Sequence, residues 1–424
     1  MIAMHRFRVP FAPVIVFLAF MRLNAADSDV AATSTNQLAV DLHRQLATGN
    51  ENLCVSPYSI ESALAMTFAG ADGQTRTEMA RVLHFPSNGD VPASFASLQN
   101  SLEEMSAKTA DLVKEPKRFG GPSEPITLNI ANRLFAQKGY AFRQAFLALV
   151  KQNYGGAFEL LDFVTDASGA TKHINQWVAG ETHDRIRDLI PGGALDETTR
   201  LVLANAIYLK APWADPFSKN ATKPELFHVR GKTPVDVPIM RKMDQHFGYA
   251  KREGYSAVSL PYAGNDLQFL VLVPDEVNGL PALEAKLSAD ILAECAKLET
   301  QEVDLHLPKF KFEPPTIVLA EKFEALGMKT AFDQPRGSAN FDRMAPRKPN
   351  DYLYVSQVFH KTFIAVDEDG TEAAAATAVA MMAATAQIER PPPVEVKVDR
   401  PFIYAIQHVP TGVCLFLGRV TDPR

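Results

Sequence analysis

The sequence predicts an α+β fold in one large domain. Helical and strand-like patterns are interleaved along the chain without a regular βαβ order and without an internal repeat, which is typical of this class. The chain has 424 residues, 46% of them hydrophobic, so it is long enough to bury a large core. We find no strong linker that would divide it into two separately patterned halves, which favours one domain.

Helices are predicted from apolar residues spaced three to four apart and from capping residues. Ser56 and Ser59 are candidate caps, with Pro57 in the first turn, for an almost wholly apolar helix. Thr75 and Glu78 have the spacing of a capping box for the next helix. The predicted helices cover residues 37–46, 60–68, 75–83, 142–154, 280–298 and 320–327, and another opens at 174–178.

Strands are predicted from two-residue alternation or from short apolar runs. Residues 201–210 form a continuous apolar run, as a strand buried on both faces would. Asn205 lies inside this run and needs hydrogen-bond partners, since a buried amide without them costs about 1–3 kcal/mol. The other predicted strands cover residues 52–55, 127–135, 256–260, 267–273, 303–312, 358–366, 394–398, 402–407 and 413–417.

Charge and cysteine content limit the classes of partner and fold. The net charge is −6 and the sequence pI is near 6.0, which argues against nucleic acid or an anionic membrane as the main partner. Three cysteines, Cys54, Cys295 and Cys414, are too few for a disulfide scaffold. We expect Cys54 and Cys414 to be buried, and the sequence leaves one bridge open.

The N-terminus has the layout of a secretory signal. Basic residues precede an apolar stretch at 9–21, which is too short to span a bilayer, and small residues follow it at Ala25. We therefore predict a signal peptide at residues 1–25, a mature domain at 27–424, and secretion, into the periplasm if the source is bacterial. The alternative is an uncleaved membrane anchor.

Enzyme motifs are missing from the sequence. It contains no G-x-S-x-G elbow, H-E-x-x-H zinc helix, glycine-rich phosphate loop or C-x-x-C pair. Its ten histidines are scattered, and its carboxylates do not cluster as a metal or acid/base site would require. We expect no catalytic residue, no metal and no cofactor, although a triad assembled from distant residues is left open.

The stretch from Val358 to Met382 has two compatible structures. It begins as an alternating strand, passes through an acidic break at 367–370, and ends in an alanine-rich run. Alanine favours helix, but up to Met381 the larger uncharged residues of the run occupy odd positions, as in a strand with one buried face. They are Thr371, Thr377, Val379 and Met381. The run is therefore compatible with an exposed loop and with a core strand.

Residues 368–377 resemble the reactive-loop hinge of the serpins, a family of serine protease inhibitors. The resemblance extends over nearly the whole mature chain and implies a single domain with three β-sheets, about nine helices and an exposed reactive loop at about 368–393. Two departures from the family's motifs, at 210–213 and 339–342, affect only local turns. The further matches, in the family's order, lie at 56–60, 70–75, 131–135, 205–208, 307–310, 326–328 and 396–403.

In that family a protease cuts the exposed loop, and the hinge then inserts as a new strand into a large β-sheet. The resemblance therefore implies suicide-substrate trapping of a serine protease in a covalent complex with a monomeric inhibitor. The uncharged odd-numbered positions can turn inward, whereas Glu372 is expected to face solvent. The implied hinge residues are Glu368, Gly370, Thr371, Ala373, Ala375 and Thr377.

Two ways of counting place the cut differently. Counting forward from Gly370 by the family's hinge length gives the bond Ala384–Thr385, whereas counting back from Pro401 gives a point near Arg390. We prefer the forward count, because hinge length determines how far an attached protease is carried. A small residue at the cut suits an elastase-like pocket. The rival bond Met382–Ala383 suits the deeper apolar pocket of chymotrypsin-like enzymes.

The resemblance also implies roles for residues around the opening point of the large sheet, where its strands separate to admit the inserted strand. Lys309 is expected to pair with Glu368 at the root of the loop, and Trp213 to lie at the top of the sheet, where packing is the alternative role. A polar cluster beneath the opening point is implied at Ser56, Ser59, Asn205 and His360. The alternative function is that of a non-inhibitory serpin-fold carrier, chaperone or protease substrate.

Overall fold

The computed structural model describes residues 15–114, 122, 124–229, 233–372 and 392–424. Helices and strands are interleaved along the chain, which confirms the predicted α+β class. Nine α-helices lie within the described ranges: α1 Ile15–Leu46, α2 Pro57–Gly70, α3 Gly73–Val82, α4 Val91–Lys114, α5 Gln144–Asn153, α6 Phe163–Glu181, α7 Leu280–Lys286, α8 Ala289–Cys295 and α9 Ala320–Leu326.

The helix boundaries follow capping chemistry. The Ser59 N–H donates to Ser56 Oγ at 3.2 Å at the start of α2, as the sequence predicts. The predicted helix at 280–298 is instead two helices, because Ser288 is extended and its side chain caps α8. The predicted signal segment, residues 1–25, overlaps the start of α1 and stays a prediction. Within the described ranges, none of the helices combines the length and the apolar character that a bilayer crossing requires.

Seventeen strands form two hydrogen-bonded sheets in the part of the chain that the structure describes. They are β1 Leu53–Val55, β2 Thr127–Gln137, β3 Phe158–Leu161, β4 Leu201–Pro212, β5 Lys223–Phe227, β6 Val235–Arg252, β7 Tyr255–Pro261, β8 Leu267–Pro274, β9 Thr300–Pro308, β10 Phe310–Phe312, β11 Ile317–Val318, β12 Val355–Thr362, β13 Ile364–Val366, β14 Gly370–Thr371, β15 Val394–Lys397, β16 Phe402–His408 and β17 Val413–Val420.

The eight-stranded sheet, here called the main sheet, is organised around β4. On one side β4 pairs with β2, which pairs with β3. On its other side β4 pairs with β12 along part of its length and with β14 at the end of the strand. From there β12 continues to β11, while β14 continues to β13 and β10.

The nine-stranded sheet has the order β1-β17-β16-β8-β7-β6-β9-β15, with β5 also on β6. The 18-residue strand β6 belongs to two halves of this sheet, because it pairs with β5 near its start and with β7 near its end. A bulge between Lys242 and Gln245 interrupts its pairing with β9. With the main sheet, the two halves give the three sheets that the family resemblance implies.

Both faces of β4 are covered, as the continuous apolar run predicts. One face joins the large hydrophobic core between the two sheets, through Leu201, Leu203, Ile207, Leu209 and Ala211. The other face packs against α6, where Val202, Ala204 and Ala206 contribute to a cluster with Phe163, Ile174 and Val178. A strand added beside β4 would therefore meet the large core on one face and the α6 side on the other.

The three cysteines are buried as free thiols. Burial raises the pKa of Cys54 to about 11 and that of Cys295 to about 12. Both thiols are therefore protonated and unreactive at neutral pH. The structure contains no bridge among the three, and the fold does not depend on one.

Candidate functional site

In the main sheet, β4 and β12 pair directly along most of their length, and at one end the short strand β14 lies between β4 and β13 instead. These two strands are parallel, and their register runs from Val355 opposite Leu201 to Thr362 opposite Ile207. Beyond that point β4 changes partner and pairs with the antiparallel strand β14. The opposite edge of β14 pairs with β13 through Val366 and Thr371. A two-residue strand thus separates β4 from β13 at one end, while β4 and β12 remain in contact below it.

The backbone at Gly370 explains why this strand begins there. Gly370 has a φ of +151°, and an added Cβ atom would lie 2.2 Å from the carbonyl oxygen of Ala211. Only glycine therefore allows the chain to approach β4 this closely. Thr371 is 2% exposed and points into the core, where its hydroxyl forms a 2.5 Å hydrogen bond with the Tyr262 hydroxyl.

The strand ends at Glu372, which adopts a left-handed conformation with a φ of +47°. Its carboxylate forms an ion pair with Arg185 and is half-buried rather than exposed to solvent. Burial raises the pKa of Glu372, although the charges of Arg185, Lys210 and Lys311 oppose that shift. A continuing strand would need an extended backbone at this residue, so the left-handed Glu372 ends β14 at Thr371.

Glu368 is anchored just before the strand. Its buried carboxylate accepts a hydrogen bond of 2.5 Å from Lys309 Nζ and one of 2.7 Å from Thr222 Oγ1. Burial alone would raise the pKa of Glu368, but these two hydrogen bonds and the lysine charge lower it below its usual value. The ion pair expected between Lys309 and Glu368 is therefore present and keeps the carboxylate ionised.

Trp213 holds the turn that precedes the strand. Its indole N–H donates to the carbonyl oxygen of Asp367 at 2.9 Å, and its backbone N–H donates to that of Asp369 at 3.0 Å. The ring is 2% exposed and stacks on Tyr262 at 4.6 Å between centroids. Lys219 adds an ion pair with Asp369 at 3.0 Å, with the lysine more than half exposed. Trp213 therefore both packs and positions the turn.

The four residues expected in the polar cluster do meet, directly under the closed part of the sheet. His360 of β12 lies opposite Asn205 of β4, and their side chains are hydrogen-bonded through His360 Nδ1 and Asn205 Oδ1. Asn205 Nδ2 donates to Ser59 Oγ at 2.7 Å. The backbone N–H of Ser56 donates to His360 Nε2 at 3.1 Å. These four residues are fully buried.

The hydrogen-bond directions define the protonation state of His360. Because Nε2 accepts from the Ser56 N–H, the ring proton lies on Nδ1, which donates to Asn205. Burial lowers the pKa of His360 to about 3, so the imidazole is neutral. A charged ring would lose the acceptor that Ser56 requires. This neutral histidine is the side-chain link between β12 and β4 at this point of the sheet.

Besides Arg185 and Lys219, sequence reasoning missed Asn132, Tyr262 and Thr222 as partners of the site. Asn132 of β2 lies opposite Asn205 and joins the cluster, accepting from Ser59 Oγ at 2.9 Å and donating to the Ser59 carbonyl oxygen at 2.8 Å. Tyr262 and Thr222 bind the hinge residues. Asn132 shares with Asn205 one detectable signal, an amide within a strand pattern, whereas Tyr262 and Thr222 carry no local signal.

Part of the predicted site lies outside the described residues. This part comprises the hinge positions Ala373, Ala375 and Thr377, the preferred cut at Ala384 and Thr385, and the rival cut at Met382 and Ala383. The described ends of the predicted loop are residues 368–372 and 392–393, and β15 follows directly.

The neutral state of His360 predicts how stability depends on pH. Its folded pKa of about 3 lies below the unfolded value near 6.5, so its contribution is complete above pH 6.5 and is lost as the pH falls towards 3. In His360→Gln, an amide can keep both hydrogen bonds but cannot titrate. Between pH 7 and pH 5 the variant should lose about 2 kcal/mol less unfolding free energy than the wild type, measured in urea. Parallel pH profiles would contradict the assignment.

The anchored Glu368 predicts a second outcome. Glu368→Lys places two ammonium groups together in a partly buried site and should lower the unfolding free energy by about 2–3 kcal/mol. The loosened hinge leaves β4 and β13 as open edges, so we expect concentration-dependent polymers on native gels after mild heating. Lys219→Gln is the matched control, because it breaks only the exposed pair with Asp369 and should cost at most about 1 kcal/mol. Equal behaviour of both variants would refute the role of Glu368.

Comparison with known proteins agrees with this architecture. A family model described as serpin (serine protease inhibitor) matches residues 33–423. The "Leukocyte elastase inhibitor" of Equus caballus is 36% identical over 402 residues, 92% of this chain and 99% of that protein. An uncharacterized serpin-like protein of Thermococcus kodakarensis is 37% identical over 92% of this chain and 85% of its own length.

A solved structure of an Arabidopsis serpin, described as a native stressed conformation, superimposes with a TM-score of 0.77 at 26% identity. It covers 93% of this chain and 98% of the other. Similarity of both sequence and fold thus extends over nearly the whole chain. The protein belongs to the serpin family of serine protease inhibitors.

Proposed function

We propose that this serpin inhibits elastase-like serine proteases by suicide-substrate trapping. In this proposal the segment after Glu372 is cut by the protease and then inserts between β4 and β12 as a new strand of the main sheet. The observation that carries the proposal is β14, which already occupies the first two positions of that strand, between β4 and β13.

The observed register predicts where an inserted strand would lie. Gly370 pairs with Pro212, and Thr371 pairs with Ala211. Continuing this antiparallel register places residues 372–381 opposite residues 210–201, which is the whole remaining length of β4. The number of residues between the hinge and the predicted cut is therefore sufficient to fill the sheet.

The side chains of this segment suit both faces of the sheet. Residues directly opposite each other in an antiparallel pair share a face, so the odd positions 373–381 would face the large core with Leu209, Ile207, Asn205, Leu203 and Leu201. The even positions 374, 376, 378 and 380 would face α6. All four are alanine, and this small side chain requires little space between the sheet and α6. Glu372 would lie opposite Lys210 and keep a partner of opposite charge.

The same register gives the polar cluster a second role. Continued along both neighbours, it places Thr377 opposite Asn205 of β4 and opposite His360 of β12. Insertion must separate His360 from Asn205, and the Thr377 hydroxyl can donate to one and accept from the other. We infer that the cluster restrains the closed sheet before cleavage and offers hydrogen bonds to the inserted strand afterwards.

The chemistry up to the trapped state is ordinary acyl transfer by the target protease. The catalytic serine Oγ attacks the carbonyl carbon of Ala384, the bond to Thr385 breaks, and the protease histidine gives its proton to the new Thr385 amine. An ester joins the two proteins. Insertion of about twelve residues then carries the ester roughly 40 Å along the sheet, at about 3.3 Å per residue. In this proposal the transport also deforms the active site of the protease, which can then no longer direct water at the ester.

Two observations support the choice of target. Ala384 at the preferred cut suits a small specificity pocket, and a relative that covers nearly the whole chain is named for elastase inhibition. We also propose export of the protein through the segment at residues 1–25. N-terminal sequencing of the exported protein should then begin at residue 26 or 27, and retention of Met1 would contradict export by cleavage.

The proposed function is tested by incubating the protein with pancreatic elastase. A complex that survives SDS should form, and mass spectrometry should detect a released C-terminal peptide that begins at Thr385. A peptide beginning at Ala383 would support the rival bond and a chymotrypsin-like target. Complete cleavage without any complex would refute inhibition and favour a serpin-fold substrate or carrier.

An inward charge should convert the inhibitor into a substrate. Ala375→Asp places a carboxylate opposite Ile207 in the large core, where an unpaired charge costs several kcal/mol, so insertion should fail. Cleavage should continue while the yield of complex falls at least about tenfold. The matched control Gln387→Asp adds the same charge beyond the cut and should leave the yield unchanged. Equal complex formation by both variants would contradict insertion in this register.

A further inference from the structure

A groove on the outer side of α6 is separate from the hinge and the polar cluster. It encloses a cavity of about 580 Å³ between α6 and the segment 187–195 that follows it. From α6 the lining includes Thr171, Lys172 and Gln176, which are spaced along one face of the helix. A volume of this size is in the range of small-ligand sites.

The groove combines an apolar floor with free positive charge. Pro191 and Ala179 present apolar surface to the groove, and the buried side chains of Ile190 and Leu195 lie behind them. Among the residues that the structure describes, no hydrogen bond or ion pair engages the ammonium group of Lys172. Arg187 has only a loose, exposed contact of 3.5 Å with Asp184. The carboxylate of Asp188 also lines the groove, which leaves one net positive charge among Lys172, Arg187 and Asp188.

The walls of the groove are connected to the strands that must separate. Asn175 of α6 binds the segment 187–195 through two hydrogen bonds to Ile190. It donates to the Ile190 carbonyl oxygen at 2.9 Å and accepts from the Ile190 N–H at 2.8 Å. At the other end, Lys361 Nζ donates to the carbonyl oxygen of Arg187 at 3.0 Å. Lys361 follows His360 in β12, so the segment spans from α6 to the strand that moves away from β4.

We propose that this groove binds a small amphipathic organic anion, with its acidic group between Lys172 and Arg187 and its apolar body on Pro191 and Ala179. Charge complementarity and the apolar floor select this class over sugars or cations. A bound anion would tie the segment to both α6 and β12 and so oppose the separation of β4 from β12. Only this regulatory step rests on the proposed inhibitory function; the binding does not.

Binding is tested with the aromatic sulfonate 1-anilinonaphthalene-8-sulfonate, by fluorescence titration of the intact protein. Lys172→Gln and Arg187→Gln should each weaken binding about three- to tenfold, whereas Asp188→Asn should strengthen it by a similar factor. Lys151→Gln, an exposed lysine on α5, is the matched control and should leave the affinity unchanged. Equal affinities in all four variants would place the dye elsewhere and overturn the proposal.

A steric variant gives an independent reading. Gly192 lines the groove, and an added Cβ there would meet no atom within 4 Å; because this residue is not left-handed, Gly192→Leu should be tolerated and should crowd the groove with a larger side chain. It should abolish dye binding while its melting temperature stays within a few degrees of the wild type. Unchanged dye binding in this variant would also overturn the proposal.

The regulatory step is measured as the number of inhibitor molecules consumed per elastase inactivated. Saturating dye should raise this number at least twofold in the wild type and leave it unchanged in Gly192→Leu. Binding with no change in this number would refute the regulatory step alone. If the wild type forms no complex with elastase even without dye, the proposed function fails while the binding result stands.

Discussion

The structure depends on the pairing of two neighbouring strands of the main sheet, which the proposed function requires to separate after cleavage. β4 and β12 are hydrogen-bonded neighbours in the core, and the contact between Asn205 and His360 crosses their boundary. A buried polar network stabilises a structure only when its members are satisfied. Here the cluster also includes Ser56, Ser59 and Asn132, so its hydrogen bonds join β4 and β12 to α2 and β2. The cluster therefore stabilises the pairing of β4 with β12, and in the proposed mechanism its hydrogen bonds are exchanged when the strands separate.

The hinge acts on the same pair from the open end. Gly370 allows the chain to approach β4, the Thr371 hydroxyl binds Tyr262, and the Glu368 carboxylate is fixed by Lys309. These contacts fix the register of β14 on β4, and the proposed inserted strand would continue this register. The left-handed conformation of Glu372 stops this ladder after two residues. The native state thus combines a two-residue strand beside one end of β4 with direct pairing of β4 and β12 along the rest of their contact.

Sequence patterns predicted the elements whose signal is local. The buried run at 201–210, the cap at Ser56 and the inward-facing Thr371 each follow from short-range periodicity or capping chemistry. The predicted capping box failed, because Glu78 instead accepts from the backbone N–H groups of Lys329 and Thr330, which lie far away in sequence. Thr75 Oγ1 likewise accepts from the Asn340 N–H.

The candidate site shows the same division between features with a local sequence signal and contacts between residues far apart in the chain. The ion pair between Lys309 and Glu368 and the meeting of His360 with Asn205 were accessible only through the family resemblance, since each joins residues far apart in the chain. The burial of Glu372 against Arg185 could not be predicted from its even-numbered position. Alternation along a strand assigns a residue to a face, but it does not show that a cation from another element lies there. Tertiary partners of this kind require the fold.

The central claim is that the cut segment becomes a strand between β4 and β12, and a crystal structure of the loop-cleaved protein tests it most directly. We predict continuous density for residues 370–381 in the main sheet, with Thr377 between Asn205 and His360. A cleaved molecule in which Asn205 still bonds to His360, and the severed segment lies outside the sheet, would contradict the account.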